Sequence, residues 1–430
     1  DKAGNQETNP GAMSQFTFVW DRTPPTAYLI QPSSGQVYMN LASITGTASD
    51  PPGASGPKKS GVTSVKLRVY SPADDLCFLG SGFGACGAAP ELTVAGTDPW
   101  EYVNTALTGQ LASGTTYVIS VRASDAAGNV QAGFTPVISS RTIRIDKDPP
   151  TAGFTKPVQA QAYVPAAVAG GSGILGTAND ALASLYPQSD ALLDGGVQVV
   201  VSYLDGGTSY YYNTTACSPA AFCTTSTEAA SWNTITGTTD SWKMVFPVGD
   251  WVSDKAYRAK VRARDRARVS PGTAVGNISS PGTLGRDIVD FIVDGTPPQS
   301  SVRSHLNGSF IQNLTSVFGT ANSDLAGAAT YFLRITTKAA GSPEAYWNGA
   351  VWTSNPTNLP VEVVGATGTV AWTYPGNILG HSAPTIIESD GVQYGLSFQA
   401  KDFAGQLSAP ATNYVILDRV GPSVVITTPM

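Results

Sequence analysis

The chain has 430 residues, only 13% of them charged, and 31 Asp+Glu against 25 Lys+Arg leave a formal net charge of −6. A pI near 5.0 and the lack of any basic run argue against nucleic acid and anionic membrane surfaces as partners. No stretch approaches the ~20 apolar residues of a membrane span. Hydrophobic residues at 42% suffice for packed cores, about three at ~150 residues per domain.

In chain order, residues 1–10 are polar and lack the basic-then-apolar layout of a secretion leader. A proline-containing boundary, Asp21-Arg-Thr-Pro-Pro25, leads to Gly46-Thr-Ala-Ser-Asp50 and then to a β-branched segment, 62–70. Trp100 follows, then Tyr117-Val-Ile-Ser-Val-Arg-Ala-Ser-Asp125, in which Tyr117, Ile119, Val121 and Ala123 share one face of a strand. The series then restarts. Boundaries recur at Asp146-Lys-Asp-Pro-Pro150, Asp294-Gly-Thr-Pro-Pro298 and Asp418-Arg-Val-Gly-Pro422. The glycine signature recurs at Gly176-Thr-Ala-Asn-Asp180 and Gly319-Thr-Ala-Asn-Ser-Asp324, the tyrosine signature at Tyr257–Asp265 and Tyr394–Asp402. Segments 197–204 and 330–336 match 62–70 in composition. Amphipathic helices of ten or more residues are not expected. The Ala-rich stretch 152–169 is broken by Pro and Gly and reads as loop. Such a periodic array of short strands predicts an all-β chain of tandem sandwich domains.

The four cysteines form two close pairs, Cys77 with Cys86 and Cys217 with Cys223. Short loop-closing disulfides are expected, and with them an extracellular or cell-surface location. Zinc is disfavoured, because His305 and His381 lie far from both pairs.

Tyr117–Asn129, read as Tyr-x-φ-x-φ-x-Ala-x-Asp-x-Ala-Gly-Asn (φ apolar), resembles strand F and the F–G turn of tandem bacterial immunoglobulin-like repeats of the adhesin-stalk type. So do the Asp-x-Thr-Pro-Pro boundary and Gly-Thr-Ala-x-Asp at the end of strand B. The resemblance implies modules at 21–145, 146–293 and 294–417. Residues 1–20 would then be the last strand of a preceding module, residues 418–430 the first strand of a following one. Donation of such an orphan strand to another subunit is the alternative. Two departures stand out: Ala267-Arg268 where the pattern asks for Ala-Gly, and Gly421-Pro422 in place of Pro-Pro. Module 2 is also about 24 residues longer than module 3, with the excess expected in loops around 158–173 and 268–282.

Catalysis has little raw material. Two histidines that do not recur between modules cannot build a repeated Ser-His-Asp or Cys-His site, so no enzyme activity is expected. The expected role is a structural stalk or fibre segment, its partners the neighbouring modules and a surface glycan or protein. A carbohydrate-binding accessory region of a secreted enzyme is the alternative. For that reading Trp347 and Trp352 are the expected ligand-facing aromatics. The recurrent Trp100, Trp242 and Trp372 read as core, and Tyr117, Tyr257 and Tyr394 as tyrosine corners. Sequons at Asn213, Asn277, Asn307 and Asn313 are nominal glycan acceptors.

In an immunoglobulin-like sandwich the start of strand A, the B–C loop and the F–G loop share one pole. That would gather Asp21, Asp50 and Asp125; Asp146, Asp180 and Asp265; and Asp294, Asp324 and Asp402. Three carboxylates this close repel unless protonated, hydrogen-bonded or bridged. Calcium, which tolerates irregular oxygen coordination, is the expected cofactor. The competing expectation is that each Asp makes its own Asx turn.

Overall fold

The computed structural model describes residues 2–3, 20–52, 59–87, 91–180, 192–213, 215–217, 221–224, 226–235, 241–271, 276–322, 325–338, 343–365, 368–375, 390–425 and 427. Asp324, His381 and the expected strand at 14–19 lie outside them. The chain is a tandem of immunoglobulin-like sandwiches. In the first, a small antiparallel sheet joins Thr26–Gln31, Ile44–Ser49 and Trp100–Tyr102. The facing large sheet is centred on Thr116–Asp125 between Val62–Ser71 and Ser140–Ile145. Val37–Leu41 adds to that sheet in parallel, pairing Tyr38 with Ile145. The same parallel step recurs as Tyr163 with Val293 and as Ile311 with Leu417.

Each sandwich has its own apolar core, running from Ala27 to Ile145, from Ala152 to Val293 and from Leu314 to Leu417. Among the described residues none of these three clusters crosses from one module into another. A six-residue helix, Thr105–Gln110, is capped by Asn104, whose Oδ1 accepts from the backbone N–H groups of Ala106 and Leu107. The expected loop at 152–169 is corrected at its start: Thr151–Lys156 is a strand, antiparallel to Ile174–Asn179. Its alanine is the module-2 counterpart of buried Ala27, so composition misled where strand pairing decided. A second, two-residue strand, Ala162–Tyr163, also interrupts it, and only then does the chain turn, through single-turn 3₁₀ segments at Pro165–Ala167 and, just beyond, Gly170–Ser172. Both disulfides are formed, Cys77–Cys86 and Cys217–Cys223.

Strand parity explains the recurring motifs. Side chains alternate between faces with period two. In the tyrosine signature, Tyr117, Ile119, Val121, Ala123 and Asp125 all point inward and are buried. Gly46, Ala48 and Asp50 share the inward face of the neighbouring sheet in the same way. The glycine is a steric requirement. Gly46 stands directly opposite Trp100 across the small sheet, as Gly176 does Trp242 and Gly319 does Trp372. A Cβ on Gly46 would sit 1.9 Å from the Tyr28 carbonyl oxygen and 2.3 Å from the Trp100 ring. On Gly176 it would sit 2.1 Å from both the Gly153 carbonyl oxygen and the Trp242 ring. The tyrosines act as corners: Tyr117 Oη accepts from the Ala112 N–H, and Tyr257 Oη accepts from the Val252 N–H.

Gly46→Ala and Gly176→Ala are therefore expected to destabilise their own modules by about 3 kcal/mol or more, the upper range of overpacking. Gly109, in the helix with open space around its Cα, is the control: Gly109→Ala should be neutral or stabilising by ~0.5–1 kcal/mol. Urea unfolding followed by tryptophan fluorescence checks both, and equal midpoints for Gly46→Ala and Gly109→Ala would refute the steric account.

Candidate metal centre

The poles gather the carboxylates that the repeats foreshadow. One ligand oxygen from each of Asp21, Asp50 and Asp125 lies within 4.8 Å of the others, and Asp146, Asp180 and Asp265 do the same in module 2. In the third module Asp294 and Asp402 are both buried; Asp324 falls outside the described residues. Copy three also carries one extra residue between its glycine and its aspartate, which breaks the parity seen in copies one and two.

Three strands meet at each pole. Asp50 and Asp180 arrive at the inward end of the strand that carries the glycine signature. Asp125 and Asp265 arrive at the end of the tyrosine strand. The boundary aspartate comes from the last strand of the preceding module, where the Asp146 N–H donates to the Tyr38 carbonyl and that of Asp294 to the Tyr163 carbonyl. The poles of modules 2 and 3 thus sit at joints.

Asp21, Asp125, Asp146, Asp265 and Asp294 also organise their own loops. Asp21 Oδ1 accepts from the Thr23 N–H, Asp146 Oδ1 from that of Asp148, and Asp294 Oδ1 from that of Thr296. Asp125 Oδ1 accepts from the Asn129 N–H at 2.8 Å, and Asp265 Oδ1 from the N–H groups of Ala267 and Asn277. These are the Asx-type turns that short Asp-Pro and Asp-Ala-Gly contexts favour. The two expectations are therefore not exclusive, since one oxygen can serve the turn while the other faces its neighbours.

A third participant went unnoticed in the sequence. Asn129 Nδ2 donates both to Asp125 Oδ2 and to the Asp21 carbonyl oxygen. Asn277 Nδ2 repeats this with Asp265 Oδ2 and the Asp146 carbonyl oxygen. Gln406 Nε2 reaches the Asp294 carbonyl oxygen. A side-chain amide closing the F–G turn thus ties that turn to the module boundary in all three copies. The signal was the Asn or Gln that ends each turn, visible once the turns are aligned on their glycine.

Electrostatics at the two described triads differ. The Asp21 carboxyl is held below its ordinary range by the N–H groups of Thr23 and Ser60. Asp146 is pushed up to about 7, first by burial and then by the charge of Asp180. Burial also raises Asp265, against the opposing pull of Asn277 and the turn amides. In module 1, Asp50 Oδ2 accepts from the Gly61 N–H at 2.6 Å, whereas Asp50 Oδ1 is buried with no hydrogen-bond donor among the described residues.

The remaining expected site residues fall elsewhere. Trp347 and Trp352 are corrected as ligand-facing aromatics: they are buried, 1% and 6% exposed. They pair directly across two strands, with ring centroids 5.4 Å apart, and Trp352 packs against Tyr394 inside the sandwich. Trp100, Trp242 and Trp372 are core. Trp232 is only half-buried, and the Arg262 guanidinium covers it at 4.1 Å from the ring centroid. Two sequons are structural: Asn213 and Asn277 are buried, their amides donating to Ser226 and Ala230 and to Asp265 and Asp146. No helix among the described residues is long and apolar enough to cross a membrane.

No family model matches the chain, and no curated protein matches it. Among solved structures it shows faint similarity to the fibronectin(III)-like modules of Clostridium thermocellum CbhA, with 12% identity and a TM-score of 0.24 over 64% of this chain and 100% of that one. Escherichia coli α2-macroglobulin spanning domains MG0-NIE-MG1 gives 12% identity and a TM-score of 0.18 over 91% and 97%. Drosophila N-cadherin EC1-3 gives 10% and 0.17 over 86% and 94%. Similarity at this level carries no argument, and the fold class rests on the strand pairing described above.

A carboxyl raised above its ordinary value of 3.8 holds its proton in the folded chain at pH values where the unfolded chain has lost it. Its stabilising share is complete below pH ~4 and is lost as pH climbs through about 7. In calcium-free buffer, module 2 should therefore lose stability between pH 4 and 7, and Asp146→Asn, which keeps the turn acceptor, should flatten that slope. Urea midpoints across this range test it; parallel slopes in both proteins would exclude Asp146 as the titrating group.

Proposed function

We propose that this chain is a load-carrying spacer segment of an extracellular or cell-surface protein, adhesin-like, whose work is mechanical and not catalytic. The observation that carries this reading is the joint. Each of the boundary aspartates Asp146 and Asp294 belongs by its N–H to the module before and by its carboxylate to the module after. Its carbonyl is also gripped by the amide of the next F–G turn. Such wiring couples each sandwich to the next. Two disulfides in short loops fit an oxidising compartment. The carbohydrate-binding alternative loses its expected platform with the burial of Trp347 and Trp352.

The same reading gives the acidic poles a cofactor. Calcium–oxygen bonds of 2.3–2.6 Å allow two ligands of one ion to lie at most about 5 Å apart, and both described triads meet that limit. The orphaned Asp50 Oδ1 and the upward push on Asp146 are what a dense carboxylate cluster shows when no cation is counted in its surroundings. Asp21, Asp50 and Asp125 would hold one ion and Asp146, Asp180 and Asp265 another, supplying positive charge that lets all three groups ionise at the joint.

Calorimetry of the whole chain in calcium and in chelator tests this. Calcium at about 100 times its Kd should stabilise the bound modules by about 2.7 kcal/mol, and Asp50→Asn should remove the first site's share of that shift. Superimposable scans in calcium and chelator would show that the carboxylates are turn-formers only.

A further inference from the structure

Module 2 departs from its neighbours at one place in the F–G turn. In modules 1 and 3 the turn runs from aspartate to its closing amide in four residues, Asp125 to Asn129 and Asp402 to Gln406. In module 2 it takes twelve, Asp265 to Asn277, yet the hydrogen bonds are unchanged. The Asp N–H donates to the carbonyl of the closing residue in all three copies. The strand register beyond the turn is also shared, with Ser124 opposite Val130, Arg264 opposite Ile278 and Lys401 opposite Leu407. Gly276 takes the left-handed conformation of Gly128 and Gly405, with φ of 69° against 86° and 94°. Its N–H closes on the Ala267 carbonyl oxygen at 3.0 Å. The apparent loss of Ala-Gly at Ala267-Arg268 is therefore an eight-residue excursion, 268–275, inserted into an intact Asp-x-Ala-Gly-Asn turn.

The first part of the excursion packs against module 1. Arg268–Ser270 forms a strand that adds in parallel to Val37–Leu41, the edge of the large sheet of module 1. Ser270 is fully buried; its carbonyl accepts from the N–H groups of Ala42 and Ser43, and its Oγ donates to the Ser43 carbonyl oxygen at 3.0 Å. An edge strand leaves a row of backbone groups without partners, and here the next module supplies them. The joint between modules 2 and 3 has side-chain contacts, such as Ser253 Oγ with the Gly295 N–H and Thr296 Oγ1 with Asp254. Among the described residues it has no shared strand: the corresponding edge of module 2, Ala162–Tyr163, is the end of its sheet.

We propose that Arg268–Ser270, at the start of the excursion, is a strand-addition clamp whose binding surface is the Val37–Leu41 edge. It fuses modules 1 and 2 into one folding and mechanical unit and leaves the joint between modules 2 and 3 as the hinge. The clamp stands on backbone pairing and does not depend on calcium at the poles. Deletion of 268–275 is the direct test, because it restores Asp265-Arg-Ala-Gly-Asn, the turn that module 1 uses. In the full chain the Ala42 and Ser43 amides should resist hydrogen exchange, and the deletion should remove that protection while Gly46 and Thr47 keep theirs. Calorimetry should resolve modules 1 and 2 as one transition in the parent chain and as two in the deletion variant. Fast exchange at Ala42 and Ser43 in the parent chain, which needs no variant to fold, would overturn the proposal. Protection that appears only with concentration-dependent dimers would overturn it as well, since the strand would then come from a second copy.

Discussion

The indole of Trp100 occupies the space that any side chain on Gly46 would need, and Trp242 over Gly176 and Trp372 over Gly319 repeat the arrangement. This contact fixes more than a pair of residues. A large ring fills the gap between two sheets only if the opposite strand gives up its side chain at that point, so the glycine sets the register of the small sheet. Alternation then does the rest: two residues on lies a buried alanine, and in modules 1 and 2 two residues further lies a buried aspartate. The acidic pole is thus placed by a packing constraint roughly two strand-turns of the pleat away. Changing the register by one residue would turn alanine and aspartate to solvent together.

That parity was legible in the sequence, because an even spacing between an inward tyrosine and an aspartate needs only period two to interpret. The same holds for the central strands and the cysteine pairs. Trp347 and Trp352 were not legible for the opposite reason. Non-recurrence suggested surface, yet a module can bury a pair found in no sister if two neighbouring strands bring both rings inward at once. The amides of Asn129, Asn277 and Gln406 were obscured by the length difference between turns, which hides their equivalence until backbone hydrogen bonds align them.

The poles combine two demands that pull against each other. Turn geometry wants each carboxylate ionised, as an acceptor for loop N–H groups; burial and mutual repulsion oppose the charge. Asp21, half-exposed and served by Thr23 and Ser60, resolves the conflict on the ionised side, whereas Asp146, enclosed with Asp180 and Asp265, resolves it toward the proton. Equivalent motifs therefore have different electrostatics, set by how deeply each boundary carboxyl is buried and by how closely its acidic neighbours approach.

The bond from Ser270 to Ser43 spans 227 positions of chain, and that distance has a temporal meaning. Synthesis at ~5–20 residues per second separates the two serines by roughly 10–45 s. Once Ile145 has emerged the first sandwich can gather its own core, since none of that core comes from module 2, but the outer edge of Val37–Leu41 has no strand to pair with until Ser270 follows. A nascent chain is thus exposed to edge-to-edge association with its neighbours on the same message until the second module arrives. Order of emergence, and not only final stability, becomes part of what this sequence must manage.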